Sequence, residues 1–159
     1  MILKTIANLL FAASARLADL AIAAMMVLVA LEILLRSLFA SSLLIADEFA
    51  AYALVAATFL GLPIAIREAA LFRFEGLLNR IPDSWRPLYE RFLYLLAILV
   101  AAILLTYLIQ FVESSARRGI VSHGRIEVPI WIPQLMMPLG MGLSLLALIE
   151  RLLAPSGKA

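Results

Sequence analysis

The chain has 159 residues, of which 65% are hydrophobic and 15% charged, and its mean hydropathy is +1.05. A soluble domain is about 45–50% apolar and about 25% charged, so a water-soluble fold of this size could not bury so much apolar surface. The net charge is only +2 and the basic residues are scattered, which excludes the dense basic stripe of a nucleic-acid-binding protein.

Four stretches of the chain are long and apolar enough to cross a bilayer, which takes about 20 helical residues. They are predicted at about 17–39, 48–67, 88–112 and 130–151, and Glu32 interrupts the first. The predicted fold is therefore all-α and integral to the membrane. The polar connections are too short for a soluble domain, so residues 1–159 form a single membrane domain.

Two amphipathic stretches flank the predicted spans. In residues 1–15 the apolar side chains gather on one helical face, which predicts an interfacial helix before span one. A cleaved signal peptide is disfavoured, because the apolar stretch before the small residues at 13–15 is too short. Residues 69–81 show the same pattern, with Arg73 on the polar face, and predict a second interfacial helix that stops at Pro82.

The distribution of Lys and Arg predicts the orientation of the spans. Nine basic residues lie in the N-terminal segment, the loop between spans two and three and the C-terminal tail, and three lie on the opposite side. Because short cytoplasmic loops carry an excess of Lys and Arg, both termini are expected in the cytoplasm. The three basic residues that break this trend lie in the outer loop between spans three and four: Arg117, Arg118 and Arg125.

The sequence contains no recognisable catalytic set, so the chain is not expected to be an enzyme. It has no cysteine and one histidine, His123 in a polar loop, which excludes thiolate metal sites, iron–sulfur clusters and haem held by two histidines. No cofactor or metal is expected. Glu32 could carry protons in a small exporter, but Arg36 lies one turn further along, and a structural ion pair between them is favoured.

A polar ladder between spans one and two is also expected. If the outer turn is centred near Ser42, antiparallel helices place Arg36 level with Glu48, and Glu32 level with Tyr52. Arg36 would then bridge Glu32 and Glu48, while the Tyr52 hydroxyl would donate to Glu32. Such a network would fix the register of the two helices.

Several short sequence stretches follow one another in a characteristic order across the four spans. They are Leu34-Leu35-Arg36, Asp47-Glu48-Phe49-Ala50-Ala51-Tyr52, Gly61 with Arg67, Phe72-Arg73-Phe74-Glu75, and Pro129-Ile130-Trp131-Ile132-Pro133-Gln134. With them, residues 32–150 resemble the small membrane subunit (DctQ-like) of tripartite ATP-independent periplasmic transporters. The chain departs from many members at Ile45, where they have tryptophan, and at Leu71, where they have histidine.

This resemblance implies a multi-pass protein of the bacterial inner membrane with two protein partners. One is a large multi-span subunit that contains the substrate and sodium sites, and the other is a periplasmic binding protein that delivers an organic acid. The small subunit would act as a scaffold for the large one. The residues expected to serve this structure or its interface are Glu32, Arg36, Glu48, Tyr52, Arg67, Arg73, Trp131 and Pro133.

The outer-loop residues Arg117, Arg118 and Arg125 are candidates for docking the binding protein or the outer rim of the large subunit. Exposed basic groups chiefly affect the rate at which two proteins associate and the register in which they bind. Three alternatives stay open. They are the small subunit of a tripartite tricarboxylate transporter, a homo-oligomeric exporter that uses Glu32, and an anchor for a redox or signalling complex.

Overall fold

The computed structural model describes residues 2–68, 85–122, 124 and 126–153, with side chains from Thr5 onward. Its helices are α1 (Ile2–Phe39), α2 (Ala46–Arg67), α3 (Arg86–Arg117), α4 (Trp131–Gln134) and α5 (Met136–Leu153). Because α4 and α5 together count as one segment, the described residues contain four helical segments long and apolar enough to cross a membrane. The prediction of an all-α fold with four such segments is confirmed.

Helix α1 is continuous over 38 residues, about 57 Å at 1.5 Å per residue. Residues 2–15, where an interfacial helix is expected, are helical and run into the first span without a break; their position at the membrane surface stays a prediction. Neither Gly nor Pro occurs between Ile2 and Phe39, and the segment is rich in the good helix formers Ala, Leu and Met. The interfacial helix expected at 69–81 lies outside the described residues.

The four long helices form an open row. Helix α1 packs against α2, α2 against α5, and α5 against α3, whereas α1 and α3 share no substantial contact within the described residues. The row therefore has two edges, one formed by α1 and the other by α3. We call the end with the non-helical residues 40–45 and the loop between α3 and α4 the turn end, and the opposite end the terminal end.

Small residues bring the helices of the row close together. A Cβ added at Gly140 on α5 would overlap the carbonyl oxygen of Phe59 on α2. One turn further along α5, the buried Ser144 hydroxyl donates to the Gly140 carbonyl of the same helix at 2.8 Å. Helix α1 meets α2 at Ser14, whose buried hydroxyl donates to the Leu60 carbonyl at 2.7 Å. Because lipid is as apolar as the helices, such close approach and polar contacts hold membrane helices together.

Three hydrogen bonds fix the register of α1 against the returning chain. They join Asn8 to Arg67 at 2.8 Å, Ser14 to Leu60 at 2.7 Å, and Glu32 to Leu43 at 2.9 Å. The midpoint of every pair lies near Ser37, so the expected midpoint at Ser42 is wrong. Residues 40–45 are not helical, and non-helical chain can advance up to about 3.3 Å per residue against 1.5 Å in a helix. The returning side therefore needs fewer residues.

Candidate functional site

Glu32 is the centre of a polar cluster at the turn end. Its carboxylate lies 2.5 Å from the Arg36 Nε atom, one helical turn away on α1. The Ser42 hydroxyl also donates to Glu32 at 2.5 Å, and the Leu43 amide donates to it at 2.9 Å. The ion pair expected between Glu32 and Arg36 is present in the structure. With three donors, the buried carboxylate ties the end of α1 to the turn that leads into α2.

Glu48 and Tyr52 do not join this cluster in the way that the sequence analysis expects. The Tyr52 hydroxyl donates to Glu48 on its own helix rather than to Glu32. The polar contacts of Arg36 within the described residues include Glu32 and not Glu48. The predicted ladder between α1 and α2 is therefore wrong, because the offset register does not place these residues at the same level. Glu48 instead lies against Gly124. A Cβ added at Gly124 would lie 3.0 Å from the Cδ atom of Glu48.

The loop between α3 and α4 folds back on itself beside Glu48. The Ser122 amide donates to the Val128 carbonyl at 2.9 Å, and the Ile130 amide donates to the Ile120 carbonyl at 3.0 Å. The last residues of this loop lead into α4, which contains Trp131 and Pro133, both half-buried. These two residues thus lie where the loop joins the last long helix. Their proposed part in an interface stays a prediction.

Two of the three basic docking candidates lie at the exposed end of α3. Arg117 forms an ion pair with Glu113, with 2.5 Å between Nη2 and Oε1. Arg118 donates to the Ser114 hydroxyl at 2.5 Å. Both partners lie one turn back on the same helix, so the two guanidinium groups stay accessible; the Arg117 side chain is 78% exposed. Arg125, and also Arg73, lie outside the described residues.

Arg67 organises the terminal end of the row. Its Nε atom lies 3.0 Å from Glu150 Oε2 on α5, and its Nη2 atom donates to Asn8 Oδ1 on α1 at 2.8 Å. The guanidinium carbon also lies 4.2 Å from the centre of the Phe11 ring, within the range of a cation–π contact. One side chain on α2 therefore joins three helices. These residues line a cleft of about 640 Å³ together with Glu68 and Arg151.

Sequence reasoning identified Arg67 but missed its partners Asn8, Phe11 and Glu150. Glu150 lies 83 positions away in the sequence, so no local pattern connects the two. One signal was available: Glu150 is an acidic residue near the end of the fourth apolar stretch, as Arg67 is a basic residue at the end of the second. Charges at equivalent depths in adjacent membrane helices are usually paired.

The contacts of Glu32 and Arg67 are connections between structural elements. Within the part of the chain that the structure describes, no group of three or more His, Cys, Asp or Glu side chains could hold a metal ion. The two clusters around Glu32 and Arg67 lie at opposite ends of the row and connect helices to one another. They can hold helices in register.

A family model for the DctQ component of tripartite ATP-independent periplasmic transporters matches residues 25–156. The chain belongs to the DctQ family. The resemblance expected from the sequence is confirmed, and DctQ is the small membrane subunit of such transporters. The chain is thus a multi-pass membrane protein of a transport system. None of the curated proteins compared with it matches.

Membership of the DctQ family also bears on the three alternatives left open by the sequence. The DctQ family consists of transporter subunits and is not an enzyme family. It differs from the tricarboxylate, exporter and redox-anchor alternatives. Membership of this family implies association with a large membrane subunit and a periplasmic binding protein.

Proposed function

We propose that this DctQ-family chain is the scaffold subunit of a sodium-coupled transporter that takes up an organic acid in the bacterial inner membrane. The large membrane subunit would contain the substrate and sodium sites, and a periplasmic binding protein would deliver the acid. The observation that carries this proposal is the family match over residues 25–156. An open row of helices fits a scaffold, because it exposes two edges and two faces to a larger partner.

The environment of Glu32 argues against the alternative of a self-sufficient exporter. A proton-carrying carboxylate must be released from its partners at some step of transport. Glu32 accepts bonds from Arg36, Ser42 and the Leu43 amide, and these bonds hold the turn between α1 and α2. Its position beside that turn, rather than in the middle of a helix pair, favours a structural role.

The terminal end of the row is proposed to face the cytoplasm and the turn end the periplasm. The basic bias of the sequence supports this orientation, and it remains eight to three when Arg16, which lies within α1, is left out of the count. Arg117 and Arg118 would then point toward the periplasmic binding protein, and Arg125 belongs to the same loop. Replacing all three by serine should slow uptake when the binding protein is limiting and reduce the salt dependence of that rate. Unchanged rates at every ionic strength would rule out this docking role.

The scaffold function predicts that the large subunit depends on this chain for its own stability. The experiment compares cells that express a tagged large subunit with and without this chain, and measures the tagged protein in the membrane fraction. We expect the large subunit to be depleted without the chain and restored by the unaltered chain supplied from a plasmid. Equal amounts of correctly assembled large subunit in both strains would refute the scaffold function.

A further inference from the structure

The outward side of α1, opposite α2, has an unusual composition for a helix at the edge of a membrane protein. Ser14, Ala18 and Glu32 are buried on the side toward α2. At 100° per residue, the opposite side carries an exposed set of small and charged residues, interspersed with exposed large apolar residues such as Val27 and Leu34. We call this set the outward face: Ala12, Arg16, Asp19, Ala23, Ala30 and Ser37.

The register of α1 against α2 places the two charges of the outward face deep in the row. Helix α2 has 22 residues, about 33 Å, which matches a hydrocarbon layer about 30 Å thick. Arg67 ends α2 and is bonded to Asn8, so Asn8 marks the terminal boundary of this layer. At 1.5 Å per residue, Arg16 lies about 12 Å and Asp19 about 16 Å further in. Asp19 is therefore level with the middle of α2.

Neither charge has a partner within the described residues. Arg16 and Asp19 form no hydrogen bond or ion pair there, and both side chains are exposed. Their spacing of three residues puts them on one side of the helix, yet they do not bond to each other. Ionised side chains at this depth are strongly disfavoured in lipid and normally face protein or water. The long Arg16 side chain could reach toward the boundary, but the short Asp19 side chain could not.

The opposite edge of the row shows what a lipid-facing helix of this protein looks like. Helix α3 carries no charged residue between Phe92 and Val112. Most of its exposed side chains in this segment are large and apolar, among them Phe92, Leu95, Leu96, Leu99 and Ile103; Thr106 and Gln110 are exposed polar residues. The outward face of α1 instead contains two charged residues and three alanines, and small residues allow a second helix to approach closely. The two edges therefore suit different neighbours.

We propose that the outward face of α1 contacts a membrane-spanning helix of the large subunit, which presents a carboxylate to Arg16 and a basic or hydrogen-bond-donating group to Asp19. This inference rests on the proposed function and adds to it the edge at which the large subunit binds. Charge complementarity selects a protein helix over lipid tails, and the alanines provide the close approach. Helix α3 forms the lipid-facing edge.

Tryptophan substitution on the two edges tests this inference. The tagged chain is expressed with its large subunit, purified in mild detergent, and the ratio of large to small subunit is measured. Ala23→Trp should lower this ratio about tenfold or more, whereas Leu99→Trp on α3 should leave it within about twofold. Both positions are exposed, so neither tryptophan disturbs the chain's own core. A single sharp elution peak and unchanged circular dichroism confirm that each variant is folded.

Substitutions of Arg16 distinguish an arginine paired with the large subunit from one that reaches to the lipid headgroups. Arg16→Leu should lower the ratio about tenfold, because the partner's carboxylate is left unpaired, while Arg16→Lys should keep most of it. An arginine that only reaches to the headgroups predicts no loss for Arg16→Leu. Retained co-purification in both Ala23→Trp and Arg16→Leu would overturn the inference.

Cross-linking identifies the occupant. The chain has no cysteine, so Ala23→Cys provides a single reactive site for a short cross-linker in membranes. An adduct with the large subunit supports the inference, and an exclusive adduct between two copies of this chain overturns it. If the unaltered chain does not co-purify with the large subunit at all, the proposed function itself is refuted. Co-purification that no α1 variant affects refutes only the assignment of the edge.

Discussion

Gly140 is the position where one added methyl group should most clearly weaken the packing of the row. In Gly140→Ala, the new Cβ would overlap the Phe59 carbonyl oxygen and lie 2.8 Å from the Phe59 Cβ. Two backbones would have to separate, because the nearest atoms do not belong to a flexible side chain. Overpacking of this kind costs about 1–3 kcal/mol, and replacing a helical glycine by alanine returns about 0.5–1 kcal/mol.

The expected net loss for Gly140→Ala is therefore about 1 kcal/mol and at most about 2.5 kcal/mol; a loss of about 1 kcal/mol is a factor of about 5 in the ratio of folded to unfolded protein. Gly142 provides a matched control two residues away, because a Cβ there meets no atom within 4 Å. Gly142→Ala should be neutral or stabilising by up to about 1 kcal/mol. Unfolding by sodium dodecyl sulfate in mixed micelles, followed by circular dichroism, measures both. Equal stability of the two variants would refute the close contact between α2 and α5.

Three further changes test other contacts of the row. Ser14→Ala removes the bond to α2 and should lower stability by about 0.6–1.7 kcal/mol in the same titration; no change would show that the bond does not hold α1. Glu32→Ala should lower it by about 1–3 kcal/mol and Arg36→Ala by at most about 1 kcal/mol, since the Arg36 side chain is 58% exposed; the reverse order would contradict the role given to Glu32. Cysteines at Ser41 and Glu68 should react with a membrane-impermeant reagent from the periplasm and the cytoplasm respectively, and labelling of Glu68→Cys from outside would invert the orientation.

The expected effects at Glu32 and Arg36 show how the structure changes a sequence-based expectation. If Arg36 bridged two carboxylates, its loss would be the more damaging change. In the structure the Ser42 hydroxyl and the Leu43 amide also bond Glu32, so the carboxylate keeps two donors without Arg36. The i to i+4 spacing was sufficient to predict the ion pair. The two additional donors come from a non-helical turn that no helical periodicity describes.

The four long helices could be predicted because hydropathy and length are local properties of the sequence. The order of the helices in the row could not, since it depends on side chains such as Gly140 and Ser14 that contact residues far away in the sequence. The error in register has one physical cause. The position of Ser42 in the connection suggests the midpoint of the hairpin, but the helical and non-helical residues near the turn advance by different lengths per residue. Arg67 was identified as a candidate, whereas its partner Glu150 was not, because α5 packs against α2 but is far from it in the sequence.

Transport by liposomes made from purified components tests the proposed scaffold function most directly. Vesicles contain this chain, the large subunit or both, with the binding protein and radiolabelled organic acids outside and a sodium gradient directed inward. We predict uptake only when both membrane subunits and the binding protein are present, and none with this chain as the only membrane component. Sodium-dependent uptake by vesicles that contain this chain without the large subunit would contradict the scaffold function.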